Sequence, residues 1–208
     1  MKNKTDWTEY YKSKKSWFST VTQKCTIKYL EKLLCDTNNV EWVVCECGGG
    51  NSCFVNGFRE RLHIKAYDII DNCELAVELA RENKAITNAY CIDLLKESNE
   101  ENQEQKYNLV YSVGLVEHFS DEERQKIIFN HFAMCEEGGY VLITAPTPTL
   151  KYRFIRKCME LMHVWQFWDE TPLTVEQLRT DVERFGEIVF CGINRKLPLT
   201  QAVILVRK

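Results

Sequence analysis

The sequence predicts an α/β fold, a doubly wound and mostly parallel sheet with helices on both faces. Short apolar runs alternate with stretches of helical period along the chain. The first of these runs breaks abruptly at Gly48, Gly49 and Gly50. The last two are separated only by a short turn-rich segment holding Pro198, which makes them a hairpin and sets the final strand antiparallel to the rest.

Each element follows from local pattern. Residues 5 to 35 read as helical, with Ile27, Leu30 and Leu34 at helix spacing, and they belong to an extension over residues 1 to 38 that precedes the core fold. Residues 42 to 47 form the first strand, apolar on both faces and therefore buried. A helix over 52 to 62 carries Val55, Phe58 and Leu62, and a second strand covers 63 to 68. Asp71 with Glu74 resembles a capping box for the helix through Leu75, Leu79 and Ala80. The third strand covers 89 to 92, and the stretch 96 to 106, KESNEENQEQK, is too polar to pack. The fourth strand covers 109 to 113, and Ser120 with Glu123 caps a helix through Ile127, Ile128 and Phe132 that Gly138 and Gly139 end. The fifth covers 140 to 145 and stops at Pro146 and Pro148. Residues 150 to 162 are helical, rich in apolar and basic side chains. Thr174 with Gln177 starts a further helix through Leu178, Val182 and Phe185 that closes at Gly186, and the final strands cover 188 to 193 and 202 to 206.

A chain of 208 residues that is 45% hydrophobic fits one domain, residues 1 to 208. Its 27 basic against 30 acidic side chains leave a net charge of -3, which is not the signature of a general nucleic-acid binder. The N-terminus holds no signal-like apolar core and no stretch is long enough to cross a bilayer, so a cytoplasmic protein without a membrane partner is expected. The ten cysteines are scattered with no C-x-x-C pair. Cys45, Cys47, Cys91 and Cys191 sit in strand-like runs, where a free thiol behaves as a small hydrophobe. His63, His118, His131 and His163 are too dispersed to suggest zinc ligands, so no metal is expected.

Open parallel sheets bind ligands at the carboxyl ends of their strands, where the winding reverses. Residues that carry chemistry therefore belong at strand ends, and the acids stand there: Glu46 before the glycines, Asp68 after the second strand, Asp93 after the third. The glycines let the backbone approach a ligand and deliver the chain to a helix N-terminus that favours an anionic group. A dinucleotide fingerprint counted from Gly48 would need glycine at the position of Cys53, which argues against a dehydrogenase.

The segment VVCECGGGNS resembles the first motif of Rossmann-like, class I S-adenosylmethionine-dependent methyltransferases. Glu46 matches its acid, Gly48 and Gly50 its first two glycines, and Ser52 stands for the third. Asp68, 20 residues after Gly48, matches the acid that grips the ribose hydroxyls. AYCIDLL resembles the third motif, with Asp93 facing the adenine amine, YNLVYSVGLVEHFSDEE the segment after strand four, and EEGGYVLITAPTP the strand-five motif. The resemblance covers residues 40 to 146, and the terminal hairpin agrees with the family's seven-stranded sheet. It implies S-adenosyl-L-methionine as cofactor, held by Glu46, Gly48, Gly49, Gly50, Asp68, Ile69, Asp93, Leu94, Ser112, Val113 and His118.

His118 is also the candidate for proton transfer, given a suitable pKa and access to the acceptor. Residues 147 to 173 read as an insertion on the acceptor side. There Lys151, Arg153, Arg156 and Lys157 begin a helix; Arg153, Arg156 and Lys157 follow i, i+3 and i+4 spacing, which puts them on one helical face, and Arg153 and Arg156 are candidates for pairing with an anionic acceptor. Among the N-terminal aromatics Trp7, Tyr10, Tyr11, Trp17 and Phe18, Tyr11 is a candidate acceptor contact; ordinary core packing is the alternative. The implied acceptor is a small molecule or glycan-like compound. SVGLVEH lacks the Asp- or Asn-Pro-Pro-aromatic sequence of amino-directed DNA enzymes, so a nucleic acid partner is not expected. A protein or RNA methyltransferase and an inactive cofactor-binding subunit remain open alternatives, and no oligomeric state follows.

Overall fold

Alternation decides which face each strand residue takes. In β1 (Trp42–Cys47), Trp42 and Val44 pack into one core cluster while Cys45 and Cys47 pack into the other, so the strand is covered on both sides. The computed structural model describes residues 4–12, 24, 26–29, 34, 41–96, 106–195 and 200–208. The expectations for Trp17, Phe18, Leu30, most of the polar stretch and the turn at Pro198 lie outside them.

Seven strands form one sheet in the order β3-β2-β1-β4-β5-β7-β6. They are β1, β2 (Ile64–Asp71), β3 (Asn88–Cys91), β4 (Tyr107–Val113), β5 (Cys135–Pro146), β6 (Glu187–Asn194) and β7 (Gln201–Arg207). The pairs β1/β2, β2/β3, β1/β4 and β4/β5 are parallel, and β7 runs antiparallel to both β5 and β6, as the hairpin predicts. The winding reverses between β1 and β4, which opens a crevice at the carboxyl ends of these strands. One face is covered by α2 (Val55–Arg59) and α3 (Glu74–Arg81), through Val55, Phe58, Val77 and Ala80. The other is covered by α4 (Asp121–Met134) and α6 (Val175–Val182), through Ile127, Ile128, Phe132, Leu178 and Val182. Two elements lie at the crevice end, α1 (Trp7–Lys12) and α5 (Leu150–Leu161). The described cysteines are free thiols, and no group of three or more His, Cys, Asp or Glu among the described residues is placed to hold a metal ion.

The capping boxes at Ser120/Glu123 and Thr174/Gln177 are both present. Ser120→Ala removes the acceptor for the Glu123 N–H and should lower unfolding stability by about 1 kcal/mol in a urea titration. Four expectations are corrected. Strand β2 continues past Asp68 to Asp71, because Ile69 and Ile70 are apolar side chains that fill the two opposite cores and the ladder with β3 holds to the pair Asp71/Cys91. Asp71 therefore ends a strand, and Cys73 is the N-cap of α3 without a side-chain cap bond. Helix α2 begins at Val55, because Ser52 takes a positive φ of 31° and belongs to the turn. Helix α4 ends at Met134, and Gly138 (φ 79°) serves an irregularity between Tyr107 and Leu109 in the β4/β5 pairing instead of a helix end.

Candidate active site

The site begins with a carboxylate in an apolar strand. Glu46 shares the face of Val44 and is buried, so its charge needs donors. They come from three elements. The Ser52 hydroxyl donates to Oε2 at 2.6 Å and Tyr67 of β2 donates to the same oxygen at 2.5 Å, with the Tyr111 hydroxyl of β4 bonded to that of Tyr67. Burial outweighs these donors and pushes the Glu46 carboxyl up to about 7. Ser52 also accepts from the N–H groups of Phe54 and Val55, which ties the acid to the start of α2. The residue that stands for the motif's third glycine thus couples the acid to the helix.

The raised acid has a consequence for stability. Because the folded value of about 7 lies above the ordinary 4.5, the folded state holds the proton more tightly. The contribution is fully present below pH 4.5 and is lost as pH rises towards 7, by about 3 kcal/mol. Urea titrations over this range should show that loss in the wild type and a flatter profile in Glu46→Gln. Parallel profiles would contradict a titrating Glu46.

The glycine turn is closed by an acid that the motif assignment passed over. Gly48 (φ 65°) donates to the Ile70 carbonyl at 2.7 Å, and Gly50 (φ 52°) donates to Asp71 Oδ2 at 2.8 Å. The other oxygen, Oδ1, accepts the Cys73 N–H, also at 2.8 Å. Gly49 leaves room for the Glu46 side chain: a β-carbon there would lie 2.7 Å from Glu46 Cδ. Asp68 lies elsewhere. It is buried three residues inside β2, opposite Cys45, and its two oxygens accept from the Asn88 amide and the Tyr107 hydroxyl, each at 3.0 Å. Ile69 is likewise core, packed with Tyr67 in the cluster beneath α2 and α3.

Asp93 and Leu94 follow β3. Asp93 accepts the Leu95 N–H and pairs with Lys96 at 3.1 Å, and the buried Leu94 is tied to α4 through its carbonyl and the Asn130 amide. At the end of β4, the Ser112 hydroxyl is buried without a hydrogen-bond partner among the described residues, and Val113 is half-buried.

After β4 the chain makes a single 3₁₀ turn, Val116–His118, that aims His118 at the crevice. His118 Nδ1 meets Asp169 Oδ1 at 3.0 Å. Burial lowers the His118 pKa below its usual 6.5, and the Asp169 carboxylate only partly opposes this. Asp169 also accepts from the Thr5 N–H at 3.1 Å and from the Thr5 hydroxyl, which anchors the segment leading into α1. The Trp7 ring stands edge-on to His118 with centroids 5.1 Å apart, and Phe167 lies against both rings and Tyr10. Helix α1 thereby reaches over the turn, where a β-carbon on Gly50 would lie 2.0 Å from the Tyr11 hydroxyl.

Beneath this layer, Glu117 is buried with Oε2 lacking a hydrogen-bond partner among the described residues, and burial together with Glu170 and Asp169 raises its pKa well above the ordinary value. The expected single basic face of α5 is divided. Arg156 turns inward, pairs with Glu160 at 3.0 Å and Glu170 at 3.3 Å, and stacks over Trp165, so its charge is already countered. Arg153 stays exposed on the outer side.

Sequence reasoning singled out neither Asp169 nor Thr5, Glu117 and Glu170. Asp169 meets His118 across 51 residues and Thr5 meets Asp169 across 164, separations that no motif spacing signals, whereas Glu117 adjoins His118 in the sequence. Tyr67 and Tyr111 carried a usable signal, since alternation puts polar hydroxyls in the same buried layer as Glu46.

No protein-family model matches the sequence, and no curated protein matches it. Solved structures do. Magnesium protoporphyrin IX methyltransferase from Synechocystis PCC 6803, with bound SAH, superposes with a TM-score of 0.71 at 16% identity, covering 97% of this chain and 93% of its own. The N-methyltransferase NodS from Bradyrhizobium japonicum WM9, in complex with S-adenosyl-L-homocysteine, gives 0.63 at 14% identity, covering 87% and 85%. An O-methyltransferase family protein from Burkholderia thailandensis gives 0.68 at 14% identity, covering 91% of this chain and 57% of its own. The chain therefore has the Rossmann-like fold of these proteins, the seven-stranded form with an antiparallel terminal strand that its sequence predicts.

Proposed function

We propose that this chain is an S-adenosylmethionine-dependent methyltransferase acting on a small-molecule or glycan-like acceptor. The observation that carries the reading is the corner formed by Glu46, the Gly48 to Gly50 turn and Asp71 at the point where the winding reverses. Its donor set fits the cofactor: a buried carboxylate poised near neutrality suits an ammonium, a strand-end carboxylate suits ribose hydroxyls, and a glycine turn admits close approach to the backbone. Solved proteins of this fold hold SAH or SAM.

In this reading Asp71 takes the ribose role that the motif gave to Asp68, because Asp71 closes the turn while Asp68 is committed to Asn88 and Tyr107. Asp93 and Leu94 flank the adenine, Ser112, Val113 and His118 line the side towards the acceptor, and Tyr11 covers the turn. The bound cofactor supplies an activated methyl group. The protein then has to align the acceptor and exclude water, which the aromatic layer of Trp7, Tyr10, Tyr11 and Phe167 is built to do. The neutral His118 imidazole, held by Asp169, takes the proton that the acceptor loses. This pair favours an active enzyme over a cofactor-binding subunit.

Incubation with methyl-labelled cofactor and extracts of cells lacking the gene should transfer label to a small metabolite. Comparison with wild-type cells should show that metabolite missing one methylene of mass. Label appearing only in protein or RNA would overturn the acceptor class.

A further inference from the structure

Helix α5 is amphipathic in the reverse sense for a surface helix. Its inner face is fixed: Tyr152 is buried with its hydroxyl on Glu170, and Arg156 stacks on Trp165. The outward stripe is apolar. Leu150, Phe154 and Leu161 recur at helical spacing and are 85%, 71% and 69% exposed, and the chain continues with the exposed Met162, Val164 and Trp168. Since the inner contacts prevent rotation, the stripe stays in water unless something covers it. Isolated exposed apolar residues are ordinary, but several large ones on one helical face, interrupted only by Lys157 and continued by the segment after the helix, mark an interaction surface.

The charges around the stripe say what covers it. Lys151 and Arg153 are exposed beside it, the exposed Lys157 stands within it between Phe154 and Leu161, and the one acid of the helix, Glu160, is half-buried and held by Arg156 as well as Lys157. The face is therefore cationic in a protein whose net charge is -3. A second copy would bring like charges together across a symmetric contact, which disfavours self-association. Apolar side chains ringed by long cationic ones suit the surface of an anionic bilayer, where the rings and aliphatic chains enter the headgroup boundary and the cations reach the phosphates.

We propose that α5 and the segment after it dock on an anionic lipid bilayer, with the helix lying in the plane of the interface. The expectation of no membrane partner rests on the lack of a spanning stretch, and among the described residues no helix is long and apolar enough to cross. Surface docking requires none. The proposal stands apart from the methyltransferase reading, since it needs neither cofactor nor turnover.

Vesicle flotation of the whole chain tests it, with vesicles of phosphatidylcholine mixed with phosphatidylglycerol and vesicles of phosphatidylcholine alone. The wild type should float with the mixed vesicles only, and added salt should release it. Phe154→Ser with Leu161→Ser, and separately Lys151→Glu with Lys157→Glu, should each weaken partitioning by roughly tenfold. These side chains are exposed, so unchanged thermal melts should accompany the loss. The proposal is overturned if the wild type floats with neither vesicle, floats equally with both, or floats no better than the two double variants. It is also overturned if sedimentation shows a dimer that Phe154→Ser with Leu161→Ser dissociates, which would assign the face to a second copy.

Discussion

Asp169→Asn should lower turnover by about 100-fold to 10,000-fold while leaving cofactor affinity close to wild type. The carboxylate holds His118 at Nδ1, so the other ring nitrogen faces the acceptor as the free base; an amide can present either atom and loses that selection. The pH dependence separates this role from simple packing. Burial keeps His118 below its usual 6.5, so the imidazole is neutral at pH 7 and activity should fall only as pH drops through a value under 6.5. Asp169 raises the His118 pKa, so removing its charge should move the acid limb to still lower pH even as the plateau falls. His118→Gln should lose the limb altogether. Wild-type turnover in both variants would remove His118 and Asp169 from the chemistry.

Gly50→Val should abolish measurable cofactor binding, a loss of about 100-fold or more. Two costs coincide. The φ of 52° disfavours any β-branched residue, and the added β-carbon would point into the space now held by the Tyr11 hydroxyl, 2.0 Å away. Gly138→Ala separates them. Gly138 has an even larger positive φ, 79°, but nothing within 4 Å of its would-be β-carbon, so this variant should lose about 1 kcal/mol of stability and bind normally. If calorimetry shows Gly50→Val binding as tightly as Gly138→Ala, the turn is not the cofactor cradle.

What the sequence could and could not disclose follows from the range of each signal. Strand-and-helix alternation, the glycine break after β1, the capping boxes at Ser120 and Thr174 and the terminal hairpin are all local patterns, and the structure contains each of them. The end of β2 is also local but ambiguous, because Asp68 and Asp71 are both acids near a strand end and only the packing of Ile69 and Ile70 extends the ladder between them. The group around His118 was hidden for a different reason. Thr5, His118 and Asp169 come from three distant parts of the chain, and it takes the folded aromatic layer to bring them together. The basic run on α5 has the three- and four-residue spacing of a single face, but local spacing does not say where the helix meets its support, and Trp165 and Glu170 take Arg156 inward.

Calorimetric titration with S-adenosylhomocysteine tests the central claim most directly, comparing the wild type, Asp71→Ala and Asp68→Asn, with a thermal melt of each. The wild type should bind. Asp71→Ala should weaken binding by about 10-fold to 100-fold, since it removes a charged acceptor from the turn. Asp68→Asn should lower the melting temperature, because it disturbs the bonds to Asn88 and Tyr107, and should leave affinity unchanged among folded molecules. No heat of binding in the wild type, or full affinity in Asp71→Ala with affinity lost in Asp68→Asn, would contradict the account.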